Sequence, residues 1–339
     1  MNAEYPPIGI YRFLKPILFL LPPEKAHALS LHALHWSGKV PPLPSLIHSL
    51  CAPTQQSHSF LGHTLSNRIG MAAGYDKNAW ALDGLSAMGF GHIEVGTITP
   101  KPQQGNPSPR VHRLPREYAL VNRLGFPNEG VEVISSRIAA YRKRVLSAQQ
   151  QHSPLLGINI GKNKDTPNES AYADYVYCFE HLVDYADYIA INISSPNTPY
   201  LRELQQREAL EKLLTPLLNA RAKRNIHIPF FVKLAPDLLS EERMHTLNSL
   251  VELGIEGAIL SNTQKIHEPF EGGKSGLPIR ESTLSIIKES KKECPKLHII
   301  ASGGIGLDGD VEEFCRAGAD LVQIWTALVY RGPRLLRRL

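Results

Sequence analysis

The segment Tyr188-Ile189-Ala190-Ile191-Asn192-Ile193-Ser194-Ser195-Pro196-Asn197-Thr198-Pro199 joins an apolar run of strand length to a polar loop. The apolar part reads as a buried strand. The eight residues from Asn192 carry two carboxamides and three hydroxyls, and two prolines fix their backbone. Such a loop offers hydrogen bonds to a planar polar ligand and sets a hydroxyl beside it. A serine-rich turn that satisfies its own backbone has the same composition. The rest of the chain decides between the two.

Outward from this segment, seven more apolar runs of similar length appear: Ile69–Ala73, Phe90–Val95, Leu155–Ile160, Phe230–Leu234, Gly257–Leu260, His298–Ala301 and Leu321–Trp325. Between the runs lie stretches with helical character: Asn78–Met88, Glu129–Leu146, Ser170–Tyr185, Arg207–Arg224, Glu241–Leu253, Arg280–Lys292 and Gly309–Ala317. Eight strands alternating with helices predict an α/β fold, a (β/α)8 TIM barrel. No GxGxxG follows the first strand, which argues against an open dinucleotide-binding sheet. Ser57 to Leu65 alternates around Gly62 like a small hairpin. Val111–Leu114 and Tyr118–Val121 read as a hairpin inserted above the barrel mouth.

A barrel enzyme draws its site from the carboxyl ends of its strands. Here every such end is polar or glycine-rich: Ala73-Gly74-Tyr75-Asp76-Lys77, Gly96-Thr97, Asn159-Ile160-Gly161-Lys162-Asn163, Asn192–Pro199, Lys233, Ser261-Asn262-Thr263, Ser302-Gly303-Gly304-Ile305-Gly306 and Thr326. The glycine turn, with Trp325-Thr326, stands where barrels commonly hold a phosphate through backbone N–H groups. One phosphate without a dinucleotide fold suggests a mononucleotide such as FMN. Lys233, at the end of an apolar strand, is either the cation beside a reduced flavin or half of an ion pair inside the barrel. Lys77 with Asn122, Asn192, Asn197 and Asn262 suits a small planar molecule bearing a carboxylate and ring amides. Asn122-Arg123-Leu124-Gly125-Phe126 is placed to cover it.

Composition removes other classes. The chain has 42% hydrophobic and 20% charged residues and a net charge of +5. It has no dense basic stripe interleaved with aromatics, so no nucleic-acid partner is expected. The cysteines Cys51, Cys178, Cys294 and Cys315 form no CxxC pair, so no metal site or disulfide framework is expected. The two N-x-S/T matches, at Asn168 and Asn192, read as accidental. The most apolar run, Ile17 to Leu21, is far too short to span a bilayer.

Residues 1–45 form a separate unit in this reading, with the barrel domain at 46–339. Tyr11 to Leu21 is a short apolar helix interrupted at Lys15-Pro16. A second helix opens at Pro23-Glu24, with Ala26, Leu29, Ala33 and Trp36 on one apolar face. Val40-Pro41-Pro42-Leu43-Pro44 reads as a linker. The pair is either a cap packed on the barrel or a surface for a membrane.

Six blocks carry a family resemblance: Ala73–Lys77, Asn122–Phe126, Gly157–Asn163, Asn192–Pro199, Ser275-Gly276 and Ser302–Ile305. Together they resemble dihydroorotate dehydrogenase, from about residue 8 to the C-terminus. Ser195, where the cytosolic class has cysteine, and the N-terminal helices resemble the membrane-associated, quinone-dependent class 2. The short stretch before Tyr11 suggests a bacterial enzyme. The resemblance implies one FMN per chain, bound by Ala73, Gly74, Tyr75, Asp76, Lys77, Thr97, Asn159, Asn192, Lys233, Ser261, Gly276, Gly304, Trp325 and Thr326. It implies dihydroorotate held by Lys77, Asn122, Arg123, Leu124, Gly125, Phe126, Asn192, Asn197, Asn262 and Thr263. Three features depart from the family pattern: Ser261 in place of threonine, Trp325 in place of tyrosine, and a short Gln264–Gly273 segment.

The implied reaction oxidises dihydroorotate to orotate in pyrimidine biosynthesis. Ser195 is the base toward ring C5, with Thr198 orienting a water, while a hydride leaves C6. Lys77 and the asparagines stabilise charge on the ring carbonyls. The second half-reaction reduces a membrane quinone through an apolar entry between the N-terminal helices, with Arg113 near its inner end. The helices lie on the bilayer surface, which implies a peripheral position on the cytoplasmic side of the inner membrane. The alternatives are a class 1 enzyme, a dihydropyrimidine reductase, or a non-catalytic nucleotide-binding barrel.

Overall fold

The computed structural model describes residues 4–54, 56–147 and 153–339. Eight parallel strands close into a barrel: β1 (Ile69–Met71), β2 (His92–Ile98), β3 (Leu155–Ile160), β4 (Tyr188–Asn192), β5 (Phe230–Leu234), β6 (Gly257–Leu260), β7 (His298–Ser302) and β8 (Leu321–Ile324). Each pairs with the next in chain order, and β8 closes on β1. Almost every strand residue is buried, because helices cover the outside and side chains fill the inside. The predicted runs match these strands to within three residues at their ends.

The hairpin His58–Phe60 with His63–Leu65 plugs the amino-terminal end of the barrel. Its Phe60 and Leu65 pack with Leu155, Tyr188, Phe231, Ile259, Ile300 and Leu321. Over the opposite end, the expected insert is present as Val111–Leu114 and Ala119–Asn122. The second of these strands also pairs with Gly272–Gly276, which pairs with Gln264–Ile266. The insert is thus half of a four-stranded antiparallel sheet, and the short Gln264–Gly273 segment supplies part of the other half.

The N-terminal region contains three helices, α1 (Tyr11–Leu20), α2 (Pro23–Ser37) and α3 (Leu43–Cys51). Three expectations change here. First, α1 runs through Pro16. That proline lies one turn from the helix start and removes a single bond, to the Arg12 carbonyl. Second, the proline run read as a linker opens α3, which crosses the boundary expected at residue 45. Pro42 and Pro44 stand at the start of the helix, where a missing N–H costs nothing. Third, the predicted apolar face of α2 is split: Ala26 and Ala33 line a cavity against the barrel, while Leu29 and Trp36 turn outward. Leu29 is 51% exposed and Trp36 62%. The barrel instead receives His27, Ser30, Leu34 and His35, whose Nδ1 lies 2.6 Å from the Trp80 carbonyl. The contact is close because glycines meet: a Cβ on Gly84 would lie 2.2 Å from the Leu34 carbonyl oxygen.

Candidate active site

The carboxyl ends of the strands and the sheet above them enclose one cleft of about 920 Å³, its open mouth included. From the barrel come Ala73, Gly74, Lys77, Thr97, Asn192, Ser195, Lys233, Ser261, Asn262, Thr263, Ser302–Ile305 and Gln323–Ala327. The over-barrel sheet and the loop beside it add Asn122, Leu124, Gly125, Phe126, Ser275 and Gly276.

A hydrogen-bond chain fixes the polar wall. Asn192 Nδ2 donates to Thr97 Oγ1 at 2.9 Å, and Thr97 Oγ1 donates to Asn159 Oδ1 at 2.6 Å. Ser194 Oγ donates to Asn192 Oδ1 at 3.1 Å and accepts from Asn262 Nδ2 at 2.9 Å. Across the mouth, Asn197 Nδ2 donates to Asn122 Oδ1 at 3.2 Å. Carboxamides from three barrel strands and the upper sheet are thus oriented before any ligand arrives, the preorganisation a polar site requires. Ser195 is 5% exposed, and its Oγ accepts the Asn197 N–H at 3.2 Å. That bond aims one lone pair at the backbone and leaves the other free.

Lys77 Nζ donates to the Gly74 carbonyl at 2.5 Å. Burial, and secondarily the Arg110 cation, lower its pKa to about 8, against the pull of Asp76 and Glu24. It remains a cation at neutral pH.

At the glycine turn, Gly303 (φ +117°) and Gly304 (φ +80°) hold a backbone that other residues rarely adopt. A Cβ on Gly304 would sit 2.3 Å from Arg280 Cα. Among the described residues no acceptor pairs with the N–H groups of Gly303, Gly304 or Ile305, nor with the buried Trp325 Nε1. Behind the turn, the Gly304 carbonyl accepts from Tyr5 Oη at 2.5 Å. A set of donors without acceptors on a glycine cradle fits a phosphate-bearing cofactor.

A second cavity of about 1590 Å³, its open mouth likewise included, adjoins the first. It lies between α1, α2 and the barrel, and most of its surface is apolar: Leu18, Phe19, Ala26, Leu34, Met88, Val111, Leu120, Leu328 and Val329 contribute. Lys77, Leu124 and Trp325 belong to both cavities and form the partition between them. Arg113 lines the second cavity, donating to the Leu21 carbonyl at 2.8 Å and so closing the C-terminal end of α1. Burial and the Lys77 cation push His27 down to about 3, so its imidazole is neutral there.

Most of the residues singled out by sequence meet at the cleft. Asn159 sits just beneath its wall. Tyr75 instead lines the second cavity, its Oη 3.0 Å from Ser30 Oγ. Asp76 faces away and accepts the Trp80 and Ala81 N–H groups, at 2.9 and 2.7 Å. Arg123 bonds outward to the Pro109 carbonyl. Thr198 is buried in the Ser195 loop but does not line the cleft. Sequence reasoning passed over Ser194, Gln323, Tyr5 and above all Glu94. An acid within the apolar run Phe90–Val95 was the available signal for Glu94, since a buried charge demands partners.

Residues 56–339 match the family described as dihydroorotate dehydrogenase. The chain belongs to the dihydroorotate dehydrogenase family. It is 40% identical over 342 residues to the dihydroorotate dehydrogenase (quinone) of Pseudomonas fluorescens (strain Pf0-1), spanning 97% of both chains. To that of Dichelobacter nodosus (strain VCS1703A) it is 42% identical over 339 residues, 96% of both. The crystal structure of DHODH in complex with ferulenol from Eimeria tenella superposes with a TM-score of 0.84 at 35% identity, covering 93% of this chain and 89% of that one. The similarity to the quinone-type dihydroorotate dehydrogenases is not confined to the barrel. It takes in the helices that build the second cavity.

Proposed function

We propose that this chain is a quinone-dependent dihydroorotate dehydrogenase that holds FMN and dihydroorotate in the polar cleft and receives the quinone in the apolar cavity. The observation that carries this reading is the shared partition of Lys77, Leu124 and Trp325. One wall between a polar and an apolar chamber is what two half-reactions with unlike substrates need. FMN, when bound, takes up the hydride from the substrate ring and supplies both electrons to the quinone.

The residues divide the remaining work. The glycine turn, Trp325 and Thr326 hold the phosphate, with Ser275 Oγ 2.8 Å from Thr326 Oγ1 to orient that hydroxyl. Lys77 meets the carboxylate of dihydroorotate. Asn122, Asn192, Asn197 and Asn262 meet the ring amides, and Leu124 to Phe126 cover the ring and exclude water. Ser195 removes the ring proton. Its Oγ is already oriented by the Asn197 N–H, and Thr198, in the same buried loop, relays the proton onward.

Outside the cavity, α1 to α3 expose Phe13, Ile17, Leu20, Leu29, Trp36 and Leu46. No helix among the described residues is long and apolar enough to cross a membrane. An exposed apolar surface on short helices suits a peripheral seat at a bilayer, here the cytoplasmic face of the inner membrane. A lipid-soluble quinone then enters between α1 and α2 directly from the lipid.

The test is spectroscopic. The purified protein is expected to be yellow, to bleach anaerobically with dihydroorotate, and to regain colour when a long-tailed quinone is added. A colourless protein, or one bleached by dihydroorotate but recoloured only by fumarate, overturns the reading.

A further inference from the structure

We propose that Glu94 is a positioning residue that sets the charge beneath the flavin and anchors the side chains that meet it. The inference rests on the flavin reading above.

Glu94 lies within β2, opposite Gly157 of β3, one inward-facing layer below Asn159. Its side chain has no solvent exposure. Four groups from four other strands converge on its two oxygens. Oε1 accepts from Asn159 Nδ2 at 2.8 Å and lies 3.7 Å from Lys233 Nζ. Oε2 accepts from Gln323 Nε2 at 2.7 Å and from Tyr188 Oη at 3.1 Å. Lys233 and Gln323 line the cleft, and Asn159 holds Thr97 in its wall. One carboxylate therefore fixes β3, β4, β5 and β8 side chains at the floor of the cleft.

Two consequences follow. The first is electrostatic. Lys233 alone would put an uncompensated cation against the flavin, and a cation there stabilises the reduced, anionic form. With Glu94 within 4 Å in a dry interior, the pair is close to neutral, and its field at the cleft is that of a dipole. Glu94 thus holds the reduction potential below the value Lys233 would impose alone. The second is geometric. Without the carboxylate, the Asn159 amide loses its acceptor, and the chain through Thr97 and Asn192 loses its anchor.

The barrel can accept the neutral isostere. Gln323 Oε1 is buried with no partner, so rotating that amide offers an acceptor to a new N–H at position 94. Glu94→Gln is therefore expected to fold and to bind FMN. Redox titration of the bound flavin against a reference dye is expected to show reduction favoured at least tenfold relative to wild type, about 30 mV more positive for two electrons. Glu94→Asp keeps the charge but is a methylene shorter. It is expected to keep the wild-type potential while releasing FMN more readily in an ultrafiltration assay.

An unchanged potential in Glu94→Gln overturns the proposal, as does an equal shift in Glu94→Asp. Loss of FMN from Glu94→Gln together with a melting temperature lowered far below that of Tyr188→Phe would leave only a structural role, and also overturns it. A wild-type protein that takes up no flavin defeats the functional reading itself, a result separate from any of these.

Discussion

The two chambers share a wall and little else. In the cleft most polar side chains already have a partner, and most of the residues come from strand ends held by a closed barrel. In the apolar cavity one side of the lining comes from α1 and α2, short helices that bury none of their own residues. One chamber is rigid because its hydrogen bonds are satisfied across many strands. The other is loosely held, and loosely packed elements are those that open at least cost. Chemistry that needs sub-ångström positioning suits the first. Entry of a long, flexible lipid-soluble molecule suits the second.

Substitutions on each side should therefore fail in different ways. The largest effect is expected from Ser195→Ala. It should slow anaerobic flavin reduction by at least about 10²-fold, the lower end for loss of a general base, with orotate binding nearly intact. Stopped-flow bleaching at the wild-type rate would remove Ser195 from that role.

Next is Lys77→Met, which deletes a charge-assisted bond and should weaken orotate binding by about 2 kcal/mol, roughly 30-fold. Because the Lys77 pKa is lowered to about 8, the cation is present below that pH and lost above it. Orotate affinity of the wild type should be flat to about pH 8 and then fall. Titrating the flavin spectrum across pH measures both, and a fall that persists in Lys77→Met would trace it to another group.

On the apolar side, Phe13→Glu with Ile17→Glu, at positions 62% and 63% exposed, should lower partition onto lipid vesicles about tenfold. Flavin reduction by dihydroorotate should not change. A vesicle flotation assay run beside stopped flow gives both numbers, and parallel loss would show that the chambers are not independent. The smallest effect is expected from Ala26→Phe, which adds a ring to the cavity. The KM for a long-tailed quinone should rise by roughly threefold to tenfold, as for crowding an apolar pocket, with the half-reaction in the cleft untouched.

The same division explains what could be read from the chain. Barrel strands were legible because burial on both faces leaves continuous apolar runs, and their polar ends stand out against that background. Ser195, Lys77, Asn192 and the glycine turn could be assigned to strand ends for this reason, and all of them line the cleft. The N-terminal helices were harder. Leu29 and Trp36 mark an apolar face, but periodicity does not say whether that face meets protein or lipid, and here these two point outward. Pro42 and Pro44 signal both a loop and a helix start, and only the α3 contacts resolve which. Glu94 and Gln323 carry no motif at all. Their meaning lies in partners drawn from distant strands, up to 229 positions apart in sequence.

Tyr5 brings the beginning of the chain to the glycine turn, where its hydroxyl bonds a carbonyl 299 residues further on. During synthesis that acceptor emerges 299 residues after Tyr5, so this tie forms only once β7 has been made. α2 meets Leu82–Ala87 and Val111–Leu114 well before then, so the N-terminal helices find part of their seat while the Tyr5 tie waits. The glycine turn is thus braced from behind late in folding, by a residue made early.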